Sequence, residues 1–124
     1  MALCCDIRLA TTDATFALPE VPLGMIPFAS GSQTLPRTIG RSRALDLLLT
    51  GRTISAQEAF EFGLIHQIVD KHDLIGKALD QANILASLSP SAVASLKSVI
   101  SRGSELPLED AIKLERYISI RVNR

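Results

Sequence analysis

Glu20 is the side chain in this 124-residue sequence best suited to moving a proton. It follows Pro19 and opens a stretch, Pro19 to Ser32, in which Pro19, Pro22, Gly24, Pro27 and Gly31 alternate with Val21, Leu23, Met25, Ile26 and Phe28. So many breakers forbid a continuous helix or strand. A stretch this apolar is expected to line a pocket or to pack beneath other elements. A carboxyl buried there against Val21, Leu23 and Phe28 is expected to rise toward the range useful to a general acid or base. The residues alone leave a second role open, in which Glu20 is a turn residue capping the backbone N–H groups that follow it. Gly31-Ser32-Gln33 sets a glycine and a hydroxyl at a helix start, where free N–H groups attract anions and orient water; plain capping is the alternative.

Other chemistry-bearing residues offer less. His66 and His72 have no Cys, Asp or Glu partner at metal-ligand spacing, so both read as structural and no metal site is expected. Asp6 reads as a residue that orients backbone at the start of a strand. Arg37, Arg41, Arg43 and Arg52 gather around short helices and read as solvated surface charge. Cys4 and Cys5 are adjacent, and neighbouring residues do not meet disulfide geometry. They are expected to be reduced, small and buried in an intracellular protein, cytoplasmic or, where a leader is missing from the sequence, of an organelle matrix.

The elements that must position Glu20 follow from periodicity. Cys5 to Ala10 and Thr15 to Leu18 read as two strands about the turn Thr11-Thr12-Asp13, a hairpin or strand-turn-strand edge. After residue 32 the pattern is helical with one strand. Gln33–Ile39 is expected as a helix with Ser30 or Ser32 as N-cap and Gly40 beyond its end, and Ser42–Thr50 as a second, closed by Gly51. Ser55-Ala56-Gln57-Glu58 fits a capping box, opening a helix to Glu61 with Gly63 as its left-handed stop. Leu64–Val69 reads as the strand. Asp73 opens a helix to Ser87, Ser89-Pro90 opens the next, which Gly103 ends, and Pro107 opens the last, with Glu109 and Lys113 paired.

Composition bounds the class. At 47% apolar and 21% charged residues the chain is globular, with a core resting on Leu, Ile, Val and Ala. Thirteen basic residues balance thirteen acidic ones, which argues against a surface built for nucleic acid or for an acidic membrane. No run approaches the length of a membrane span, and no secretory pattern opens the chain. Residues 1–72 are expected as an α/β core and residues 73–124 as a helical assembly region of one continuous domain.

The run Cys5-Asp6-Ile7-Arg8-Leu9-Ala10, then Phe16 to Glu20, Leu23-Gly24-Met25-Ile26-Pro27 and Gly31-Ser32-Gln33-Thr34-Leu35-Pro36-Arg37 resembles the enoyl-CoA hydratase/isomerase (crotonase) superfamily. Leu49-Thr50-Gly51-Arg52, Ala56 to Ala59 and Gly63-Leu64-Ile65 continue the match in order. The resemblance implies the later part of a ββα spiral with few short strands, followed by helices that build trimers or hexamers. It implies acyl-CoA or enoyl-CoA thioester substrates, hydrated or isomerised through an enolate held by two backbone N–H groups. Coenzyme A is then part of the substrate and no further cofactor is implied. Glu20 matches a catalytic glutamate, and Pro19, Leu23, Gly24, Ile26, Pro27, Phe28 and Gly31 match the substrate-binding loop. The four arginines would then have CoA phosphates as possible partners.

The sequence departs from the family pattern in places. Phe28 stands where the family carries a glycine, and Ser30-Gly31 where it carries a glycine pair. The family's glycine-rich turn, its oxyanion N–H groups and its other glutamate would fall upstream of Met1, and its closing helix after Arg124. The resemblance therefore implies a truncated subunit, inactive or weakly active alone, since each oxyanion donor is worth about 3 kcal/mol. With one glutamate present, an isomerase is easier to support than a two-carboxylate hydratase. The alternative is a non-catalytic fragment whose helices associate with full-length family subunits.

Overall fold

The computed structural model describes residues 2–122. Two compact units make up the chain, Met1–Ala78 and Leu79–Arg124.

The first unit begins with a 3-10 turn, Ala2–Cys4, followed by β1 (Leu9–Thr11), β2 (Thr15–Phe16) and a second 3-10 turn, Val21–Leu23. Then come α1 (Gly31–Ile39), α2 (Arg41–Thr50), β3 (Ile54–Ser55), α3 (Ala56–Glu61) and β4 (Gln67–Val69). The helix α4 (Leu74–Ala86) starts in this unit and ends in the second. The second unit holds the end of α4 with α5 (Pro90–Gly103) and α6 (Leu108–Val122).

Of the two arrangements open to the first strands, the hairpin does not form and the strand-turn-strand one does, with β1 and β2 in different sheets. β1 pairs in parallel with β4, Leu9 opposite Gln67 and Thr11 opposite Val69. β2 pairs antiparallel with β3, Phe16 opposite Ile54. The turn between β1 and β2 is tight, with the Ala14 N–H donating to the Thr11 carbonyl at 3.1 Å and the Thr11 hydroxyl donating to Asp13. It turns the chain out of β1 without pairing the two strands, so each takes a partner from much later in the sequence. β3 is a second strand in the region where the sequence pattern gave one. The strands are also shorter than the patterns that announced them, because pairing covers only part of each apolar run.

Helix patterns fare better. Leu35 and Ile39 on α1, Ala44, Leu47 and Leu48 on α2, and Ala56 and Ala59 on α3 are buried at helical spacing and meet Ile54, Leu64 and Ile65 in one core. Ser55 caps α3, its hydroxyl accepting from the Glu58 N–H at 3.2 Å. The Glu58 carboxylate of the expected capping box binds Arg52 instead. Gly63 takes the left-handed conformation at φ +75°. Cys4 and Cys5 are free and exposed rather than buried, because the Ala2–Cys4 turn buries no residue.

In the second unit Ser89 caps α5 with Pro90 as its first residue, and Lys113 pairs with Glu109 at 2.9 Å on α6. Neither α5 nor α6 buries a single side chain fully, nor does α4. No single helix among the described residues is long and apolar enough to cross a membrane.

Candidate active site

The Glu20 turn is built by backbone hydrogen bonds that converge on one carbonyl. The Glu20 C=O accepts from the Leu23 N–H and the Met25 N–H, both at 3.0 Å, while the Gly24 N–H donates to the Val21 carbonyl at 2.9 Å. Gly24 closes the turn in the left-handed region at φ +76°, which glycine adopts without steric penalty.

The Glu20 side chain makes no capping bond to this turn. That removes the capping role the sequence left open. The residue is half-buried, and its Oε2 is sealed from solvent with no hydrogen-bond partner among the described residues. A buried polar oxygen without a partner is uncommon and is destabilising to the fold, so such atoms concentrate where function requires them. Leu23 and Phe28 do not cover this carboxylate, contrary to expectation: they are 68% and 98% exposed.

The remaining loop residues divide into two groups. Pro27 and Gly31 are buried against each other and against Leu18, and a Cβ at Gly31 would lie 3.3 Å from the Pro27 Cβ and 3.4 Å from a Leu18 methyl. Gly31 is thus a packing glycine. Leu23, Met25, Ile26 and Phe28 instead present an apolar surface to solvent, and Pro19 is exposed beside them. Ser30, just before α1, adopts φ +67° as the one non-glycine residue in the left-handed region among those described, and its hydroxyl makes no capping bond. Its carbonyl accepts from the Gln33 and Thr34 N–H groups. A strained backbone here fits the sequence position, since this is where the family pattern carries glycine.

Three features of the site were not legible in the sequence. Gly51, read only as a helix terminator, lies against the Glu20 turn: a Cβ there would fall 2.7 Å from Pro22 Cγ and 3.2 Å from Pro19 Cα. Arg52 is a surface charge, but a paired one. Its Nη2 binds Asp46 at 2.7 Å and Glu58 at 2.6 Å, tying α2 to α3, and these carboxylates, Glu58 foremost, hold its guanidinium above its ordinary pKa. Arg43 lies over the Phe62 ring at 4.7 Å. Nothing in bare spacing announces these pairings, which join residues of different elements.

The His66 Nδ1 accepts the Arg8 backbone N–H at 3.1 Å and its own backbone N–H donates to the Arg8 carbonyl at 2.8 Å, which extends the β1–β4 pairing. His66 is a structural residue. No group of three His, Cys, Asp or Glu among the described residues is placed to hold a metal ion. An apolar cavity of about 270 Å³ lies under β2, lined by Leu3, Phe16, Leu18, Leu35, Leu47 and Ile54 among others, and no residue from Pro19 to Gly31 reaches it.

The sequence profile described as Enoyl-CoA hydratase/isomerase matches residues 1–121. The chain belongs to the enoyl-CoA hydratase/isomerase family. It is 39% identical over 118 residues to the Mycobacterium tuberculosis protein named "Probable enoyl-CoA hydratase echA8", covering 95% of this chain and 46% of that one. It is 37% identical over 115 residues to the short-chain-enoyl-CoA hydratase of Clostridium acetobutylicum, covering 93% and 44%. The crystal structure of an enoyl-CoA hydratase from Bacillus anthracis superposes with a TM-score of 0.91 at 44% identity, over 94% of this chain and 45% of that one. The chain thus spans about half the length of the relatives it matches. The fold expected from the resemblance, a helix-rich α/β arrangement with few short strands, is the one observed.

Proposed function

We propose that this family member carries the Glu20 proton-transfer element of a site acting on acyl-CoA or enoyl-CoA thioesters, by hydration or double-bond isomerisation through an enolate. The observation that carries this reading is the Glu20 carboxylate, with Oε2 buried, unpartnered and not used as a cap. In this role Glu20 delivers a proton to, or removes one from, the carbon beside the thioester. The exposed apolar side chains Leu23, Ile26 and Phe28, with Pro19, Gly24, Pro27 and Gly31 shaping their backbone, form the surface that receives the acyl group. Phe28 in the place of the family's glycine would restrict how closely a bulky acyl chain approaches.

The chain matches about half the length of its relatives, so activity is read with the rest of a family subunit supplied. Its catalytic element is best tested in a chimera in which residues 1–121 replace the matching segment of the Clostridium acetobutylicum hydratase. We expect the chimera to hydrate the substrate, followed as loss of the conjugated thioester absorbance, and Glu20→Gln to lower kcat by about 10²- to 10⁴-fold. Unchanged turnover by Glu20→Gln refutes the role.

A second reading, association of this chain with its own copies as a trimer or hexamer or with full-length family subunits, is favoured by the second unit. Leu79, Ile84, Leu96, Ile100, Ile112 and Ile120 stand 40–62% exposed on its helices. Sedimentation of a clean monomer, with no complex on mixing with a full-length relative, would exclude it.

A further inference from the structure

We propose that Gly51 is a positioning residue for Glu20: the missing side chain at the end of α2 forms the seat on which the Pro19–Pro22 turn rests. The inference builds on the reading of Glu20 as the proton-transfer residue.

The seat is rigid on the α2 side. Gly51 ends α2 at φ +63°, its N–H donating to the Leu47 carbonyl at 2.9 Å. The preceding Thr50 hydroxyl donates to the Asp46 carbonyl at 2.6 Å. The following Arg52 is clamped to Asp46 through Nε at 2.9 Å and Nη2 at 2.7 Å, and to Glu58 at 2.6 Å. Gly51 therefore sits between two anchored neighbours and has little freedom to retreat.

The turn is rigid as well. A methyl group at Gly51 would meet Pro22 Cγ at 2.7 Å, Pro22 Cδ at 3.1 Å and Pro19 Cα at 3.2 Å. These are ring and backbone atoms, which cannot swing aside as a flexible side chain would. Pro19 and Pro22 flank Glu20, so any shift that relieves the clash carries the Glu20 backbone with it. A displacement on the order of 1 Å is enough to lower catalysis by about a hundredfold when the displaced group handles the reacting atoms.

A matched control is present in the same unit. Gly63 has the same left-handed backbone, φ +75°, and a methyl group there would meet nothing within 4 Å. Gly63→Ala thus reports the strain of a left-handed alanine alone, and Gly51→Ala reports that strain together with the collision.

The experiment has two arms. In the 124-residue chain, hydrogen exchange of the Leu23, Gly24 and Met25 amides is followed by NMR. We expect Gly51→Ala to accelerate it at least about tenfold beyond Gly63→Ala. Adding Pro22→Ala, which removes the nearest ring atom, should return part of that loss as a measurable coupling. Pro22→Ala alone, which introduces no strain at position 51, should loosen the same three amides. In the hydratase chimera, Gly51→Ala should lower kcat with KM nearly unchanged, Gly63→Ala should leave both, and Pro22→Ala should partly rescue the kcat of Gly51→Ala. Equal exchange in the two alanine variants, with no effect of Pro22→Ala, would overturn the proposal. Failure of Glu20→Gln to lower kcat would instead refute the role of Glu20 and leave the exchange result to decide the seat on its own.

Discussion

Every fully buried apolar side chain among the described residues lies between Ala10 and Val69, whereas α5 and α6 bury none. Both regions are rich in Leu, Ile, Val and Ala, so composition does not separate them. Connectivity does. In the first unit, parallel pairing of Leu9–Thr11 with Gln67–Val69 and antiparallel pairing of Thr15–Phe16 with Ile54–Ser55 fold distant segments over α1, α2 and α3. In the second, Ser89 and the Glu109–Lys113 pair stabilise helices locally, while Leu96, Ile100 and Ile120 remain about 60% exposed. An amphipathic sequence specifies a helix; only a partner surface makes its apolar stripe a core.

The widest test of this contrast is a pair of truncations. Ile54 is 1% exposed, so Ile54→Ala should destabilise the chain by about 3 kcal/mol in denaturant unfolding. Leu96→Ala, at a residue 60% exposed, should change stability by less than about 0.5 kcal/mol. A comparable loss at both sites would mean that the second unit's faces are covered in solution, and the Leu96 effect should then vary with protein concentration. Next comes Arg52→Ala. It breaks both ion pairs that link α2 to α3, and because the groups are 30–46% exposed the unfolding midpoint is expected to fall slightly at low salt and hardly at all at high salt.

Ser30→Gly should act in the opposite direction. Relief of a left-handed serine at φ +67° is expected to raise stability by about 0.5–1 kcal/mol, read as a higher unfolding midpoint. Smallest is the Asp13 carboxylate. The Thr11 hydroxyl, and after it Lys71 at 3.4 Å, hold Asp13 below the usual carboxylate range. A lowered carboxylate pKa stabilises the fold above the unfolded value, and that stabilisation disappears as pH falls through the folded one. Thr11→Val and Lys71→Ala should each move the Asp13 titration upward in carbon NMR.

Local features were the ones legible in the sequence. Gly63 as a left-handed stop, Ser55 and Ser89 as caps, and the Glu109–Lys113 pair each depend on residues within four positions of one another. Glu20 was legible as a candidate because its breaker-rich apolar surroundings are also local. What escaped depends on long-range placement. No pattern in Thr11-Thr12-Asp13 says that β1 will prefer a partner 58 residues away to the adjacent β2. The contact of Gly51 with Pro19 and Pro22 joins residues about thirty apart, and a glycine after Leu-Thr reads as an ordinary helix end until its neighbour is known. Cys4 and Cys5 are exposed although their residue type favours burial, because the short turn that carries Cys4 buries no side chain.

Solvent exchange reports whether Glu20 moves the proton beside the thioester. The hydratase chimera is incubated in D2O with a saturated short-chain acyl-CoA, and deuterium uptake at the α-carbon is read by mass spectrometry. Uptake is expected with Glu20 intact, falling at least about a hundredfold in rate with Glu20→Gln. Equal uptake by the two proteins would show that another group handles that proton.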